Sequence, residues 1–322
     1  MTSGTTSGAG ASAAAVSRRR AAAGRRRPLR RLLGEAPGAW WFILPAVVII
    51  LGLGVLPMGW SLLLSLQSSD LVTPAQWVGL ANYRTLAQDP AFNAAVVHTL
   101  VYTALFVPLS IAGGLALAVL LNRRVKFIGV YRTLIFVPFV ISAAAQGVLF
   151  SFVFDPNFGL ANALLRLVGI SPQGFFSDSG QALYLLVLIG LWSGLGFCVI
   201  VYLAGLQDIP KELLEAAAID GARAWASFRH IVLPSLRPLT AFLLVWQTFQ
   251  ALQLFDLVFV TTRGGPLQST TVIVFFVWEQ AFQLFNAGYA AAGAYVLAFS
   301  LLVASLLFRG LRRRARETGG AE

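Results

Sequence analysis

The sequence predicts an all-α integral membrane protein with six transmembrane helices, and three observations predict it. Hydrophobic residues make up 57% of the 322 residues and charged residues only 11%, whereas a soluble domain averages about 25% charged residues. A chain so poor in charge cannot cover a water-facing surface, so most of it faces lipid. The second observation is a series of long apolar runs, and the third is the confinement of most Lys and Arg residues to segments between them.

Six apolar runs are each long enough to cross a hydrocarbon core of roughly 30 Å, which takes about 20 helical residues. They lie at about 40–66, 95–121, 127–154, 181–205, 238–260 and 284–308. The runs are continuous rather than alternating, which indicates helices and excludes a barrel. The first run is too long for a signal peptide and lacks a convincing small-x-small cleavage site, so we interpret it as an uncleaved helix.

The distribution of Lys and Arg predicts the orientation, because cytoplasmic segments carry the excess. With the N-terminus inside, the cytoplasmic segments hold eight in the N-terminal tail, four at 123–132, four at 211–237 and five at 309–316, which makes 21 of the 24. The outer loops hold the other three, Arg84, Arg166 and Arg263. We therefore expect both termini and the stretch 207–234 to be cytoplasmic.

Three parts of the chain follow from this pattern. Residues 1–38 are of low complexity and include "RRRAAAGRRRPLRR", which predicts a disordered, basic cytoplasmic tail near the anionic inner leaflet. A nucleic-acid-binding arm is the alternative, but the apolar run that follows favours the membrane. Residues 39–309 form the six-helix domain, and residues 310–322 form a second cytoplasmic tail.

The reactive side chains favour neither a metal centre nor a redox centre. Cys198 is the single cysteine and lies in an apolar run, which predicts a small buried hydrophobe. His98 and His230 are too few and too far apart for a histidine metal cluster. The sequence therefore indicates no metal and no cofactor.

Residues 208–234 read "DIPKELLEAAAIDGARAWASFRHIVLP" and lie between two apolar runs. Pro210 suits a first helical position, and Asp220-Gly221 predicts a break, because glycine tolerates positive φ and aspartate can cap the next helix. A second short helix is expected to end at Leu233-Pro234. The product is a helix–turn–helix elbow (residues 207–234). An amphipathic loop resting on lipid headgroups is the alternative, but alanine and glutamate suit a protein groove better than lipid.

The elbow resembles the EAA loop of the permeases of ATP-binding-cassette (ABC) importers. The matching residues are Glu215, Ala216, Ala217, Asp220, Gly221, Ala222, Phe228, Ile231, Leu233, Pro234 and Pro238. Four further stretches resemble the sugar-importer branch: "VGLANYRTL" at 78–86, "FDPNFGLANALL" at 154–165, "FDLVFVTTRGGPLQSTT" at 255–271 and "FNAGYAAAGAYVLAF" at 285–299. The Thr-x-Gly-Gly-Pro run from Thr262 is typical of the maltose-type "first" permease. His98 departs from the pattern, since many relatives carry Asn there.

The resemblance implies the type I importer permease fold and a transport mechanism. Such a permease pairs with a second permease and two cytoplasmic ATPase subunits, and an extracytoplasmic protein delivers the solute, in these relatives a carbohydrate or related polyol. The elbow, through Glu215 to Ala217, Asp220 to Ala222 and Leu233-Pro234, docks in a groove of the ATPase. The implied location is the bacterial cytoplasmic membrane. The chain has no GxxxxGK[ST] phosphate loop, so the resemblance implies a non-enzymatic subunit.

Polar residues inside apolar runs are costly and are therefore candidates for solute contact. The candidates are Gln146, Trp192, Trp246, Gln247, Gln250, Gln253 and Tyr295. Glutamine offers donors and acceptors without charge, which suits sugar hydroxyls, and aromatic rings suit the C–H face of a sugar. The alternative is that the glutamines hydrogen-bond neighbouring helices.

Two other functions are compatible with six spans. An ion-coupled secondary transporter usually needs ionisable groups at the midplane, and none of the 13 acidic residues lies clearly at mid-span. An intramembrane enzyme is disfavoured because the spans carry no Ser/His pair, His-Glu-x-x-His motif or paired aspartates. The sequence does not identify the sugar, because specificity is shared with a binding protein.

Overall fold

The computed structural model describes residues 37–123 and 126–318, so the predicted tail at 1–38 lies almost wholly outside the described residues. The chain divides between Trp60 and Ser61 into two compact units. Both are helical, apart from a short antiparallel pair of strands after the first apolar run, β1 (Gln67–Ser68) and β2 (Gln76–Trp77).

The first apolar run is helical from end to end. Helix α1 (Pro37–Ile49) passes through a π-helical segment (Ile50–Val55) into α2 (Leu56–Ser65). The π-helical segment contains Gly52 and Gly54, and glycine is a weak helix former, so a local departure from the α-helix is cheap there. The stretch Trp41–Ser65 is long and apolar enough to cross a membrane.

The second run forms the 32-residue helix α4 (Pro90–Leu121), which follows the short helix α3 (Ala81–Gln88). The Asp89 side chain accepts a hydrogen bond from the Ala91 amide at 2.8 Å, and Pro90 occupies the first helical position. Both features are favoured at a helix start. The first amides of a helix lack intrahelical partners, so a side chain can accept their hydrogen bonds, and proline is tolerated there because it has no amide hydrogen.

The third run is interrupted by a sharp bend, so the prediction of one uninterrupted helix over 127–154 is wrong. Helix α5 (Ile128–Val140) and helix α6 (Ala143–Val153) meet at an angle of 102°. Ser142 begins α6, and its hydroxyl accepts from the Ala145 amide at 3.4 Å. Pro138 lies inside α5 and deprives its last turn of one amide donor.

The fourth run forms α8 (Ala182–Gln207), which follows the short helix α7 (Leu160–Leu167) and packs along α4. The two helices approach closely where Gly114 faces Cys198, since a Cβ atom on Gly114 would overlap the Cβ atom of Cys198. Cys198 is fully buried, as its position in an apolar run predicts.

The elbow consists of three short helices. They are α9 (Lys211–Ile219), α10 (Ala224–Ser227) and, after the π-helical segment Phe228–Val232, α11 (Leu233–Ser235).

Two apolar runs follow the elbow. The fifth forms α12 (Arg237–Leu252) and α13 (Asp256–Val260), which together are long enough to cross a membrane. After α14 (Ile273–Trp278) and the π-helical segment Glu279–Gln283, the last helix is α15 (Ala287–Thr318). Thus α15 continues through most of the predicted tail at 310–322.

In the described part of the chain, four helices are long and apolar enough to span a membrane, and the bent pair α5–α6 makes a fifth candidate. The apolar part of α15, Ala287–Val303, is shorter than these four. The structure therefore agrees with a multi-pass helical membrane protein, and the count of six spans stays a prediction.

The loop between α13 and α14 is held against α4. The His98 Nδ1 atom lies 3.0 Å from the Thr271 carbonyl oxygen, and the Thr99 hydroxyl accepts from the Ile273 amide at 3.0 Å. His98 thus has a structural partner in this loop.

Candidate functional site

The first helix of the elbow is uncovered on nearly all sides. None of the nine residues of α9 is buried, and Ile219 at its end is 86% exposed. Leu213 and Leu214 are also exposed large hydrophobic side chains. A water-facing protein surface rarely exposes neighbouring large hydrophobic side chains unless a partner binds there. Helix α9 is therefore a candidate docking element.

The turn after α9 is closed by glycine in a left-handed conformation. Gly221 has φ +81°. Its amide donates to the Ala218 carbonyl at 3.1 Å, and the next amide, from Ala222, donates to the Ala217 carbonyl at 2.9 Å. This pair of bonds is the Schellman arrangement that ends many helices at glycine. The predicted break is present, and its geometry depends on positive φ.

Two details of the elbow differ from the prediction. Asp220 ends α9 instead of capping the next helix, which begins after Arg223 without a side-chain cap. The second helix does not end at Leu233-Pro234, because the chain stays helical through Ser235. The Leu233 amide donates to the Phe228 carbonyl, five residues back, in the wider π-helical turn that precedes Pro234. Pro234 lies at the start of the helical turn that follows this segment, where a residue without an amide hydrogen is tolerated.

A cavity of about 410 Å³ lies at the break of the third span. Its walls come from the end of α5, the start of α6, the middle of α8 and the second half of α12. Because α5 and α6 diverge at 102°, side chains on both sides of the break border the same space. The volume falls within the range of small-molecule sites, about 300–1,000 Å³.

Four of the predicted glutamines line this cavity, and Gln146, Gln247 and Gln250 differ in their hydrogen bonds. Gln146 donates its amide to the carbonyls of Pro138 at 3.0 Å and Ile141 at 2.7 Å. Gln247 is 2% exposed and donates to the Cys198 sulfur at 3.3 Å. Gln250 is exposed on the wall, and its amide has no hydrogen bond to the described residues. The structure therefore leaves Gln250 available to a ligand and gives Gln146 a local structural role.

The remaining candidates divide between the cavity and other places. Trp246 and Gln253 line the cavity. Trp192 packs edge-to-face on Phe150, with ring centroids 5.1 Å apart, and is not among the lining residues. The Tyr295 hydroxyl lies 3.2 Å from the Ser61 hydroxyl, also outside the lining.

One wall of the cavity consists of small residues of α8 that were not among the predicted site residues. Gly190, Ser193 and Gly194 line it from α8, opposite Tyr102 and Phe106 of α4. Their spacing of three and four residues places them on one helix face. That spacing is a readable signal, although small residues at helical spacing more often indicate close helix packing.

We expect Gln146→Leu to destabilise the protein. The substitution removes both hydrogen bonds to the carbonyls at the end of α5, and an unsatisfied buried polar group costs about 1–3 kcal/mol. The measurement is the thermal unfolding midpoint of the purified protein in detergent.

Gln250→Leu is the matched control, because it makes the same chemical change on the same cavity at a side chain without a described partner. It should leave the unfolding midpoint near that of the wild type. An equal loss of stability in both variants would contradict the capping role of Gln146.

Comparison with known proteins finds a family that matches this chain. Residues 110–317 match the family described as "Binding-protein-dependent transport system inner membrane component". That range includes the elbow and most of the residues that line the cavity.

Several curated relatives align over most of the chain. A probable ABC transporter permease protein of Pyrococcus horikoshii is 34% identical over 82% of this chain and 92% of its own length. The sn-glycerol-3-phosphate transport system permease protein UgpA of Yersinia pestis is 33% identical, over 85% and 94%. The lactose transport system permease protein LacF of Rhizobium radiobacter is 34% identical, over 85% and 94%.

A solved structure shares the fold. A chain from a bacterial ABC transporter involved in the import of the acidic polysaccharide alginate superposes with a TM-score of 0.77 at 25% identity. The similarity covers 86% of this chain and 95% of that one.

Proposed function

This chain belongs to the binding-protein-dependent transport system inner membrane component family, and from that premise we propose that it forms, with a second permease, the path of a carbohydrate or related polyol into the cell. It is a membrane-spanning permease of an ABC importer and not itself an enzyme. The names of relatives that transport lactose and sn-glycerol-3-phosphate support the carbohydrate class.

The observation that carries the proposal is the elbow. An uncovered helix, α9, ends in a left-handed glycine turn between two spans. Helix α9 is not packed against the rest of this chain. It can therefore transmit a movement to the spans only if a partner subunit binds it. The chain lacks a GxxxxGK[ST] phosphate loop, so the partner supplies ATP hydrolysis.

The assembly we propose contains this chain, a second and different permease, two cytoplasmic ATPase subunits and an extracytoplasmic solute-binding protein. The elbow residues proposed for the ATPase contact are Glu215, Ala216, Ala217, Asp220, Gly221, Ala222, Leu233 and Pro234. The exposure of α9 supports this assignment for its share of them. We propose no nucleic-acid partner and no cofactor for this chain itself.

The cavity at the broken third span is the proposed solute path. Gln250 and Trp246 offer an amide and an aromatic face to a solute, the pairing that suits sugar hydroxyls and C–H surfaces. Gln247 borders the same space but uses its amide on Cys198. We assign direct contact to Gln250 first.

The orientation we propose places both termini and the elbow in the cytoplasm of a bacterial cell, with the chain in its cytoplasmic membrane. The 21-to-3 division of Lys and Arg supports it. This side is also the one on which ATP is available to the partner ATPase.

An ion-coupled secondary transporter is the alternative function. Asp256 is a carboxylate on the cavity lining and would be its natural proton or cation site. Family membership supports the importer instead. The two mechanisms differ in their energy source, which an experiment can separate.

Reconstitution tests the proposal directly. The chain alone in vesicles should show neither solute uptake nor ATP hydrolysis, because it has no nucleotide site. Vesicles that contain this chain, the second permease, both ATPase subunits and the binding protein should take up radiolabelled sugar only with ATP on the ATPase side.

The control is a complex whose ATPase carries an inactive catalytic residue, which should assemble but not transport. Uptake by this chain alone, driven by a proton or sodium gradient, would contradict the importer mechanism and favour the alternative.

A further inference from the structure

A second concave site lies away from the cavity, between α4 and the elbow. It is a groove of about 470 Å³. One wall is the α4 face that carries Leu115, Ala116 and Val119, and the other includes Trp225 and Phe228 of the elbow. Neither the solute path nor the exposed face of α9 uses this groove.

The length of the groove matches one membrane leaflet. It extends along α4 from Ala112 to Arg123. Eleven residues of helix at 1.5 Å each span about 16 Å, and half of a hydrocarbon core of about 30 Å is about 15 Å. In the orientation proposed above, the groove therefore extends from the cytoplasmic headgroups to about the bilayer centre.

The walls of the groove carry a charged side chain at one end only. The α4 face is apolar up to Arg123, which is exposed and is the only charged residue on the lining. None of the described residues that line the groove is acidic. Guanidinium groups bind phosphate with two parallel hydrogen bonds, and basic pockets between cytoplasmic helix ends suit anionic headgroups.

The elbow wall has the side chains of a membrane interface. Trp225 is 69% exposed and stacks on Phe228, with ring centroids 5.5 Å apart and an interplanar angle of 27°. Tryptophan is enriched at the headgroup level, because its ring is apolar and its N–H is polar.

We propose that this groove binds one anionic phospholipid, with an acyl chain along α4 and the phosphate on Arg123. The lipid then contacts both the second span and the elbow, so it braces α10 at the point where the elbow leaves the membrane. The proposal rests on the orientation proposed above. A transmembrane helix of the second permease is the rival occupant.

Photolabelling tests the site in the assembled complex. Vesicles of phosphatidylcholine contain a small amount of phosphatidylglycerol that carries a diazirine in its acyl chain, and labelled peptides are identified by mass spectrometry. We expect labelling within 112–119 and 224–228, and less labelling there by the same probe built on phosphatidylcholine.

Two variants and two matched controls locate the contact. Arg123→Ala should lower the labelling of 112–119 about fivefold, the effect of one basic residue on binding at an anionic surface. Lys126→Ala is its control, because Lys126 is an exposed charge that does not line the groove, and this variant should leave the labelling unchanged. Ala116→Trp should fill the groove and abolish the labelling. Leu100→Trp places the same ring on an exposed position of α4 outside the groove and should not.

Three results would overturn the lipid site. They are equal labelling by the phosphatidylcholine probe, an equal loss with Lys126→Ala, or absent lipid labelling together with a crosslink from a photoreactive residue at position 116 to the second permease. Labelling is read by mass and needs no transport. An importer that takes up sugar normally while showing any of these results would lose the lipid site and keep the proposed function.

Discussion

Gly221→Val is expected to abolish solute uptake while the protein still reaches the membrane. Gly221 has φ +81°, which a β-branched side chain strongly disfavours. A left-handed residue costs about 1–2 kcal/mol even for an ordinary side chain. A Cβ atom there would meet no atom within 4 Å, so the effect arises from the backbone alone. The turn would reopen, and α9 would point away from the ATPase groove.

The measurement combines uptake, ATPase activity and co-purification. We expect near-normal amounts of the variant in membranes, no uptake, and either loss of the ATPase subunits or solute-independent ATP hydrolysis. Gly221→Asn is the matched control, since asparagine tolerates left-handed φ, and it should retain most of the uptake. Glu215→Ala should give a milder defect, because it removes one charged contact and leaves the turn. Normal uptake by Gly221→Val would contradict the proposed role of the elbow in coupling the ATPase to transport.

Gly114→Ala is expected to prevent stable packing of α4 on α8. The new Cβ atom would overlap the Cβ atom of Cys198 and lie 3.4 Å from two of its backbone atoms, none of which can rotate away. Overpacking a tight interface costs typically about 1–3 kcal/mol and occasionally more. We place this substitution at the upper end, because the helices themselves must separate. The measurement is the yield and unfolding midpoint of the protein extracted in detergent.

The adjacent Gly113→Ala is the control for this prediction. Its Cβ atom would meet only the Leu195 Cδ2 atom at 2.9 Å, and that atom is the flexible end of a side chain. It should therefore cost little. If the two variants unfold at the same temperature, the close approach of α4 and α8 at Gly114 does not limit stability.

The spans and the elbow could be predicted because their signals are local. A run such as 181–205 satisfies its backbone hydrogen bonds within itself, so apolar length alone predicts a helix, and the structure has α8 at Ala182–Gln207. The same holds for the turn at Gly221, since an Asp-Gly pair after an alanine-rich helix is a local stop. The family that this resemblance implied is confirmed, whereas the role of the elbow residues stays a prediction.

The third span was predicted less well, because a break inside an apolar run has almost no signal in composition. Pro138 indicates a bend, but many membrane helices tolerate proline when neighbouring groups satisfy the freed carbonyls. Pro138 frees the carbonyl four residues before it, whereas the carbonyls of Pro138 and Ile141 lack helical partners because α5 ends at Val140, and the amide of Gln146 satisfies these two. As a result, a polar residue that looked like a solute contact serves the backbone of its own span.

The sequence by itself determined the class of the protein: a helical membrane chain with an elbow between two apolar runs and without a GxxxxGK[ST] phosphate loop. These properties follow from hydrophobic run length, charge distribution and a glycine turn, each of which acts within a few residues. Only the tertiary structure decided which glutamines remain free, where the cavity lies, and that α4 and the elbow enclose a groove that ends at Arg123. Those features depend on side chains from helices far apart in the chain, and their partners are set by packing, as when Gln247 meets Cys198 across two spans.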